Sequence, residues 1–155
     1  LHLISGLSNL PRLQDDILDI AMEAVPCEAA SLLLSTSIKG DLAFSSARGP
    51  VADKLTGMKL EAGKGLAGAC LADRRSIAVS DVTRDPRHAA EIARALGFQT
   101  RSLLAVPILR KDSADGVIEL INKKGGDDFQ RHEIDLVELV ARTAGALLSL
   151  AKEKR

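Results

Sequence analysis

The stretch Arg101–Lys123 constrains the fold more than any other part of this sequence. Two apolar runs, Leu103–Leu109 and Gly116–Ile121, lie on either side of a polar tip at Arg110–Asp115. Runs of that length, bounded by charged and small residues, predict two antiparallel strands joined by a short loop. The first run is apolar at nearly every position, which predicts a strand covered on both faces. Pro107 cannot donate a ladder hydrogen bond, so we expect it at a bulge or beside an unpaired position.

The remaining sequence predicts a helix at each end and short elements between them. Asn9 before Pro11 is a helix-start pattern, and apolar residues at three-to-four spacing continue the helix to Val25, where Pro26 ends it. Further strands are predicted at Ala30–Thr36, Leu42–Ala47 and Ser76–Ser80, helical segments at Gly63–Leu71 and Ala89–Leu96, a helical turn with a short strand within Val51–Leu60, and a long helix at Glu133–Lys152. This order is not the strand–helix alternation of a doubly wound parallel sheet. We expect an α+β fold with a central antiparallel sheet of about six strands, the terminal helices on one face, and short helices and a lid loop over a pocket on the other.

Charge and hydropathy exclude several functional classes. The chain has 155 residues, enough for one domain with a core, and its 21 Lys and Arg equal its 21 Asp and Glu. That balance gives no electrostatic reason for binding nucleic acid or an anionic membrane. No apolar run approaches the ~20 residues of a membrane span, and we expect no signal peptide. Because an initiator Met is also absent, we expect a cytoplasmic piece of a longer protein, with the end of a connector helix at 1–10, a core at 11–132 and an output and dimerisation helix at 133–155.

Two short segments carry the polar chemistry. The residues from Ser80 to His88 follow a predicted strand, and such clusters line ligand sites, although they also form in loops that merely connect elements. His88 with Asp81 and Asp85 is a weak metal pattern, and we expect no metal. Gly63–Gly68 matches the letters G-x-G-x-x-G, but without a buried parallel strand before it the pattern favours a glycine-rich helix start over a dinucleotide site.

The last predicted helix has more apolar residues than one buried face needs. One stripe contains Ile134, Val137, Ala141, Ala144 and Leu148, and an overlapping one contains Leu136, Leu139, Val140, Thr143 and Leu147. A surface helix of a monomer has one apolar stripe, so we expect the second to meet a symmetry mate, together with Leu3, Ile4 and Leu7. The alternative is that the N-terminal helix covers both stripes.

Taken together, these segments resemble the GAF family of sensory domains over nearly the whole chain. The similarity is strongest at Gly63–Gly68, Ile77–His88, Thr100–Ile108 and Asp115–Glu133. The last of these resembles the Asn-Lys…Phe…Asp-Glu signature of cyclic-nucleotide-binding members. Asn122, Lys123 and Phe129 match it, whereas Glu133-Ile134 stands where the signature has Asp-Glu.

The resemblance implies a non-catalytic regulatory module that binds a small molecule, with a cyclic nucleotide as the leading candidate and no bilin. Its implied ligand-binding residues are Ser80, Asp81, Asp85, Arg87, Phe98 and Thr100; its implied lid-supporting residues are Asn122, Lys123, Phe129 and Glu133, where Lys123 and Glu133 replace the signature salt bridge. It also implies a homodimer through the terminal helices, for which the residues are Leu3, Ile4, Leu7, Leu136, Val140 and Leu147. Ligand binding would order the lid Asp81–Leu96 and shift the terminal-helix packing toward an effector domain.

Two alternatives remain open at this stage. The first is a structural dimerisation domain whose pocket is empty or vestigial. The second is a redox enzyme of the same family that uses Cys70. Cys27 and Cys70 are the only two cysteines, neither lies in the spacing of a metal site, and we expect both to be reduced, buried thiols.

Overall fold

A computed structural model describes residues 9–88 and 95–153, with side chains through residue 151. In chain order the elements are helix α1 (Leu10–Ala24), strands β1 (Cys27–Ser35) and β2 (Leu42–Arg48), helix α2 (Ala52–Leu55), strand β3 (Lys59–Leu60), helix α3 (Gly65–Asp73), strand β4 (Ile77–Val79), a 3-10 turn (Val82–Arg84), strands β5 (Leu103–Arg110) and β6 (Ser113–Lys123), and helix α4 (Arg131–Glu153). The predicted segment at Ala89–Leu96 and the residues Leu3, Ile4 and Leu7 lie wholly or mostly outside the described residues.

The six strands form one antiparallel sheet in the order β3-β2-β1-β6-β5-β4. The predicted α+β fold is therefore confirmed. The connection between β5 and β6 is tighter than expected, because β5 extends to Arg110 and β6 begins at Ser113. The predicted six-residue tip is thus reduced to two residues, with Arg110 paired to Ser113 across the hairpin.

The sheet is covered on both faces, which explains why β5 is apolar at nearly every position. Leu104, Val106 and Ile108 join α1 and α4 in one buried cluster, whereas Leu103 and Ala105 join α3 in a second cluster on the other face. Successive residues of a strand point to opposite faces, so a strand between two cores has no polar side.

Pro107 lies on the part of β5 beyond the end of its pairing with β4. The pairing of β4 with β5 ends at Ile77 and Ala105, and Pro107 pairs only with Val117 of β6 among the described strands. A register shift follows between Ile108 and Leu109. A residue without an N–H fits this position, because no strand on the β4 side needs a hydrogen bond from it.

The terminal helices form one layer against the sheet. Asn9 caps α1 by accepting a hydrogen bond from the Arg12 N–H at 3.2 Å, and Pro11 lies in the first turn, as the sequence predicts. In α4 the first predicted stripe is buried, with Val137, Ala141 and Ala144 each at most 1% exposed. Within the described residues, no helix is both long and apolar enough to cross a membrane.

Candidate ligand-binding site

A cavity of about 80 Å³ lies on the sheet face opposite the terminal helices. Its floor is formed by β1, β2, β5 and β6, and its walls by α2, the start of α3 and the segment that leads into β5. The described residues that line it are Ser31, Phe44, Val51, Leu55, Leu60, Gly65, Leu66, Ala67, His88, Leu96, Phe98, Thr100, Leu103, Glu119 and Ile121. The lining is largely apolar, with a few polar side chains, which is the usual composition of a small-molecule pocket.

Two of those polar side chains are deeply buried and unpaired. Ser31 of β1 and Glu119 of β6 are direct cross-strand partners, and they are 1% and 7% exposed. The Ser31 hydroxyl has no hydrogen-bond partner in the described part of the chain. No hydrogen bond or ion pair to the Glu119 carboxyl occurs among those residues either. A buried polar group without a partner costs stability, on the order of 1–3 kcal/mol.

Burial also changes the acid–base chemistry of this face. Desolvation raises the pKa of Glu119 from its ordinary 4.5 to about 7, so both the neutral and the charged carboxyl are populated at physiological pH. In its neutral form the carboxyl can donate a hydrogen bond as well as accept one. Burial, with the Glu119 and Asp73 carboxylates as smaller contributions, likewise raises the pKa of the Cys70 thiol to about 12.

Of the six residues predicted to contact ligand, Phe98 and Thr100 line the cavity. Both lie in the segment just before β5, and both are half-buried. His88, the last described residue of the polar loop, lines the cavity as well. Phe98 and Phe44 therefore offer two rings to a planar ligand, although aromatic residues are rare in this chain.

Ser80, Asp81, Asp85 and Arg87 are absent from the described lining of the cavity. Asp81 instead caps the 3-10 turn, accepting hydrogen bonds from the backbone N–H of Thr83 at 3.1 Å and from its hydroxyl at 2.6 Å. Asp85 accepts two hydrogen bonds from the Arg87 guanidinium, at 2.9 and 2.6 Å, which lower the pKa of Asp85 to about 2. Their hydrogen bonds in this state hold the shape of the loop.

Asn122 ties the wall of the cavity to the end of β6. Its side-chain oxygen accepts hydrogen bonds from the Arg101 and Ser102 N–H groups at 2.7 and 3.2 Å, and its amide donates to the Gln99 carbonyl at 2.8 Å. Asn122 is 1% exposed and adopts a left-handed backbone, with φ of 58°. Asn tolerates that conformation better than most residues. These bonds position Thr100, which lies between two of the residues that Asn122 holds.

Lys123 and Glu133 join the end of β6 to the start of α4. The Lys123 ammonium lies 2.7 Å from a Glu133 carboxylate oxygen and donates to the Asp128 carbonyl at 2.7 Å. The same Glu133 oxygen accepts the N–H of Gln130 at 2.7 Å, as in a capping box. Desolvation would raise the pKa of Glu133, but the hydrogen bonds from Lys123 and from the Gln130 backbone outweigh it, so that pKa is lowered. Phe129 packs against the cluster of the helix layer.

The glycine-rich segment before α3 serves close packing. A Cβ added to Gly68 would lie 2.6 Å from the carbonyl carbon of Gly63, so the helix and the turn before it touch through backbone atoms. This contact brings Gly65 and Leu66 to the cavity wall. The predicted glycine-rich helix start is confirmed, and Leu66, Ala67 and Cys70 of α3 pack against the sheet in the second buried cluster.

The comparisons with known proteins agree with this geometry. A model of the GAF domain family matches residues 9–148. The chain belongs to the GAF domain family. GAF domains are sensory domains that bind small molecules and regulate other domains, and this one has a cavity on the face of its sheet.

Individual relatives of this GAF domain are distant. A probable 3',5'-cyclic phosphodiesterase, pde-5, from Caenorhabditis elegans is 28% identical over 95 residues, which are 61% of this chain and 13% of the relative. The GAF domain of a phosphoenolpyruvate-protein phosphotransferase from Coxiella burnetii has a TM-score of 0.85 at 20% identity, over 98% of this chain and 91% of that one. A type II free methionine-R-sulfoxide reductase from Thermoplasma acidophilum has a TM-score of 0.73 at 18% identity, over 92% and 94%. This chain therefore spans a small part of the phosphodiesterase it matches, and the two structures share its fold.

Sequence reasoning missed the two polar residues on the floor of this GAF cavity. The signal that identifies Glu119 is a single charge inside the apolar run Gly116–Ile121, at a strand position whose neighbours two residues away, Val117 and Ile121, face the same side. Ser31 directly precedes the apolar run Leu32–Leu34 and likewise faces the cavity. Pairing β1 with β6 in register is what brings the two together, and that register is not readable from either strand alone.

Proposed function

We propose that this GAF domain binds a small organic molecule in the cavity above β1 and β6, and that Glu119 and Ser31 recognise its polar edge. One observation carries the proposal: two polar side chains without a hydrogen-bond partner among the described residues, each more than nine-tenths buried, lie side by side in a largely apolar cavity. Proteins rarely retain such groups without a partner. A ligand with adjacent hydrogen-bond donors and acceptors would satisfy both, because Glu119 can act as donor or acceptor near pH 7.

A cyclic nucleotide is the first ligand class to test. Its base offers donors and acceptors on one edge and a flat face for Phe98, and such stacking contributes about 0.5–1.5 kcal/mol beyond burial. The sequence relative is named a cyclic phosphodiesterase, and Asn122, Lys123 and Phe129 match the nucleotide-binding signature. The cavity of about 80 Å³ is smaller than the ~300 Å³ that typical ligand pockets begin at. A nucleotide would therefore have to displace the wall that carries Phe98 and Thr100.

The path from ligand to output is short in this domain. Glu119 lies three residues before Asn122 on the same strand, and Asn122 holds the wall segment that carries Thr100. The next residue, Lys123, pairs with Glu133 in the first turn of α4. A ligand that moves this wall would act on the strand end and, through it, on the helix that leads toward an effector domain in a cytoplasmic signalling protein.

A binding experiment with matched variants tests the ligand proposal. Cyclic AMP and cyclic GMP are titrated by calorimetry, and a ligand at 100 times its dissociation constant should stabilise the domain by about 2.7 kcal/mol. Glu119→Gln and Ser31→Ala should each weaken binding about tenfold or more, because the first replaces a carboxyl oxygen that can accept with an amide NH2 that only donates, and the second removes a buried hydroxyl. The exposed Glu61→Gln and Ser37→Ala serve as controls and should bind like the parent.

The ligand proposal fails if the controls weaken binding as much as the cavity variants do. If neither nucleotide binds, the same variants are compared in a screen of small metabolites by thermal shift. A domain that no metabolite stabilises, and in which Ser31→Ala raises the melting temperature by removing an unpaired hydroxyl, would support a vestigial cavity instead.

We also propose that the domain forms a homodimer through α4. Leu136, Leu139 and Leu150 are 43%, 53% and 45% exposed, although all three are large apolar side chains. The alternating four- and three-residue spacing of a coiled-coil seam is followed by Leu136, Val140, Thr143, Leu147 and Leu150, and Leu139 lies beside that seam. Val140 and Leu147 are partly buried against the helix layer, so α1 covers only part of this stripe.

Oligomeric state measured by light scattering tests the dimer. Leu136→Lys and Leu139→Lys should each shift the domain from dimer to monomer at micromolar concentration, because a charge would be buried at the seam. The matched control is Ile38→Lys, an exposed apolar residue away from α4 that is 61% exposed. A parent chain that is monomeric at these concentrations would contradict the dimer.

A further inference from the structure

A second, larger groove lies at the free end of the sheet, on the side of the helix layer. It has a volume of about 470 Å³ and is bounded by the end of α3, the end of β5 and the first half of α4. Six cationic side chains line it: Arg74, Arg75, Arg110, Lys111, Arg131 and Arg142. The chain as a whole has no net charge, so this concentration of positive charge is local.

The anionic groups at the groove leave most of this charge unbalanced. Glu138 is the one carboxylate among the described lining residues, and it accepts hydrogen bonds from Ser76 at 2.7 Å and from Arg131 at 3.4 Å. Arg110 has Asp115 at 3.6 Å, and Arg131 also pairs with Asp135 at 2.8 Å, so these two of the six cations are balanced. Within the described chain, neither Arg75 nor Arg142 has a carboxylate within ion-pair distance. Lys111 likewise has no carboxylate within ion-pair distance among the described residues.

The backbone at Arg74 orients one of these cations toward the groove. Arg74 follows α3 with a left-handed φ of 56°, a conformation that favours glycine at the end of a helix. Its guanidinium reaches across to the carbonyl of Arg110 at 3.4 Å, which links α3 to the end of β5. The helix C-terminus attracts cations and so accounts for Arg74 and Arg75, but it does not account for Lys111 or Arg142, which lie on other elements.

We propose that this groove binds a compact polyanion with two or more phosphate groups. Guanidinium groups match phosphate oxygens with paired hydrogen bonds, and cations from three elements can surround such a ligand from three sides. The volume lies within the ~300–1,000 Å³ range of small-molecule pockets. An acidic peptide is a poorer match, because Pro107 removes one backbone donor from the exposed edge of β5 along which such a peptide would pair.

The centre of the dimer seam proposed above faces away from the groove. Helix residues follow one another at roughly 100°. Glu138 and Arg142 are four residues apart and share a face, whereas Val140, midway between them, points about 200° away from each. A ligand in the groove would therefore contact the same helix as the dimer seam but on a different side.

Calorimetry on the 155-residue chain tests the site with sodium pyrophosphate as the probe, at about 0.15 M salt so that weak surface attraction is screened. We expect saturable binding with one pyrophosphate per chain, and weaker binding of orthophosphate and sulfate. Arg75→Gln combined with Arg142→Gln should weaken pyrophosphate binding about tenfold or more. Lys39→Gln combined with Lys54→Gln removes the same charge from exposed positions elsewhere and should leave binding within about twofold.

Three results would overturn the proposal. These are the absence of saturable pyrophosphate binding, an equal loss in the two double variants, and tighter binding of a hexaglutamate peptide than of pyrophosphate. Amide NMR shifts locate the site independently, and we expect the largest at residues 74–76, 109–111 and 138–142. Glu119→Gln should not change pyrophosphate affinity, so the groove proposal can be tested independently of the proposed ligand site in the cavity above β1 and β6.

Discussion

The Lys123 ammonium and the Glu133 carboxylate lie 2.7 Å apart, with side chains only 12% and 13% exposed, at the corner where the last strand meets the last helix. The same carboxylate caps the helix through the Gln130 N–H. One side chain thus serves both as partner of a nearly buried cation and as the first-turn cap of α4. This arrangement makes the orientation of α4 depend on the end of β6.

Two substitutions of Glu133 separate these roles. Glu133→Gln keeps an oxygen for the Gln130 N–H but loses the charge, and we expect a cost of about 1–2 kcal/mol in unfolding free energy. Glu133→Ala also loses the cap, which adds about 1 kcal/mol. Urea denaturation measures both losses. A double-mutant cycle that combines Glu133→Gln with Lys123→Met isolates the interaction energy between Lys123 and Glu133. Equal losses from Gln and Ala would mean that the cap contributes nothing.

The direction of the Glu133 pKa shift determines how the stability of the domain depends on pH. The folded pKa of Glu133 is lowered from its ordinary 4.5, so the stability it contributes is present above that value and is lost as the pH falls through the folded pKa. The difference in stability between the parent and Glu133→Gln should therefore shrink below pH 4.5. A difference that stays constant down to pH 3 would contradict the pairing, and Glu61→Gln serves as the exposed control.

Asn122 should be among the polar residues on which stability depends most. Asn122→Gly keeps the left-handed backbone accessible but removes three hydrogen bonds, and we expect a loss of about 2–4 kcal/mol. Asn122→Ala should cost about 1 kcal/mol more, because its φ of 58° is strained for Ala. Arg74→Gly is the matched control, since it relieves a left-handed residue that is exposed, and it should not destabilise the domain.

The Gly63–Gly68 turn gives a prediction about packing. A Cβ at Gly68 would meet backbone at 2.6 Å, so Gly68→Ala should destabilise the domain by about 1–3 kcal/mol. Gly145 of α4 is the control: its Cβ would meet the Ile108 side chain at 3.2 Å, and the gain in helix propensity of up to about 1 kcal/mol offsets that contact. Thermal denaturation of both variants checks the contrast. Equal losses of stability in the two variants would mean that the backbone at Gly63 can move away from the added Cβ at little cost.

Much of the fold could be predicted from the sequence, because buried positions in helices and strands recur as apolar residues in a regular pattern. The continuous apolar run of β5 predicts a strand between two cores, and the Asn9–Pro11 pattern predicts the start of α1. The predicted length of the hairpin connection was wrong, because Arg110 and Ser113 are polar residues that belong to the paired strands. Polarity alone does not separate a turn from the exposed end of a strand.

The candidate site was only partly readable, for a different reason. Asp81 and Asp85 have the residue types of a ligand site, but their hydrogen bonds go to residues two positions away. A sequence gives the polar groups of a loop without saying which of them local contacts already satisfy. Glu119 shows the opposite case, because it has no local partner and becomes significant only when Ser31 is seen across the strand.

Glu119 gives a prediction on pH with the opposite sign to that of Glu133. Its pKa is raised by burial from 4.5 to about 7, so the folded state holds its proton more tightly than the unfolded state does. Its contribution to stability is therefore full below about pH 4.5 and is lost as the pH rises toward 7, at no more than about 1.4 kcal/mol per pH unit. Glu119→Gln stays neutral, so its stability relative to the parent should rise between pH 5 and pH 8.

Melting curves of the parent and Glu119→Gln at each pH measure this slope, and the exposed Glu61→Gln is the control, which should track the parent. A bound ligand provides the functional readout. If the ligand donates a hydrogen bond to the carboxylate, its affinity for the parent should rise through pH 7, because the charged acceptor is the stronger one. If it accepts a hydrogen bond from the neutral acid, affinity should fall over the same range. An affinity that is independent of pH in the parent, and equal in Glu119→Gln, would remove Glu119 from the binding site.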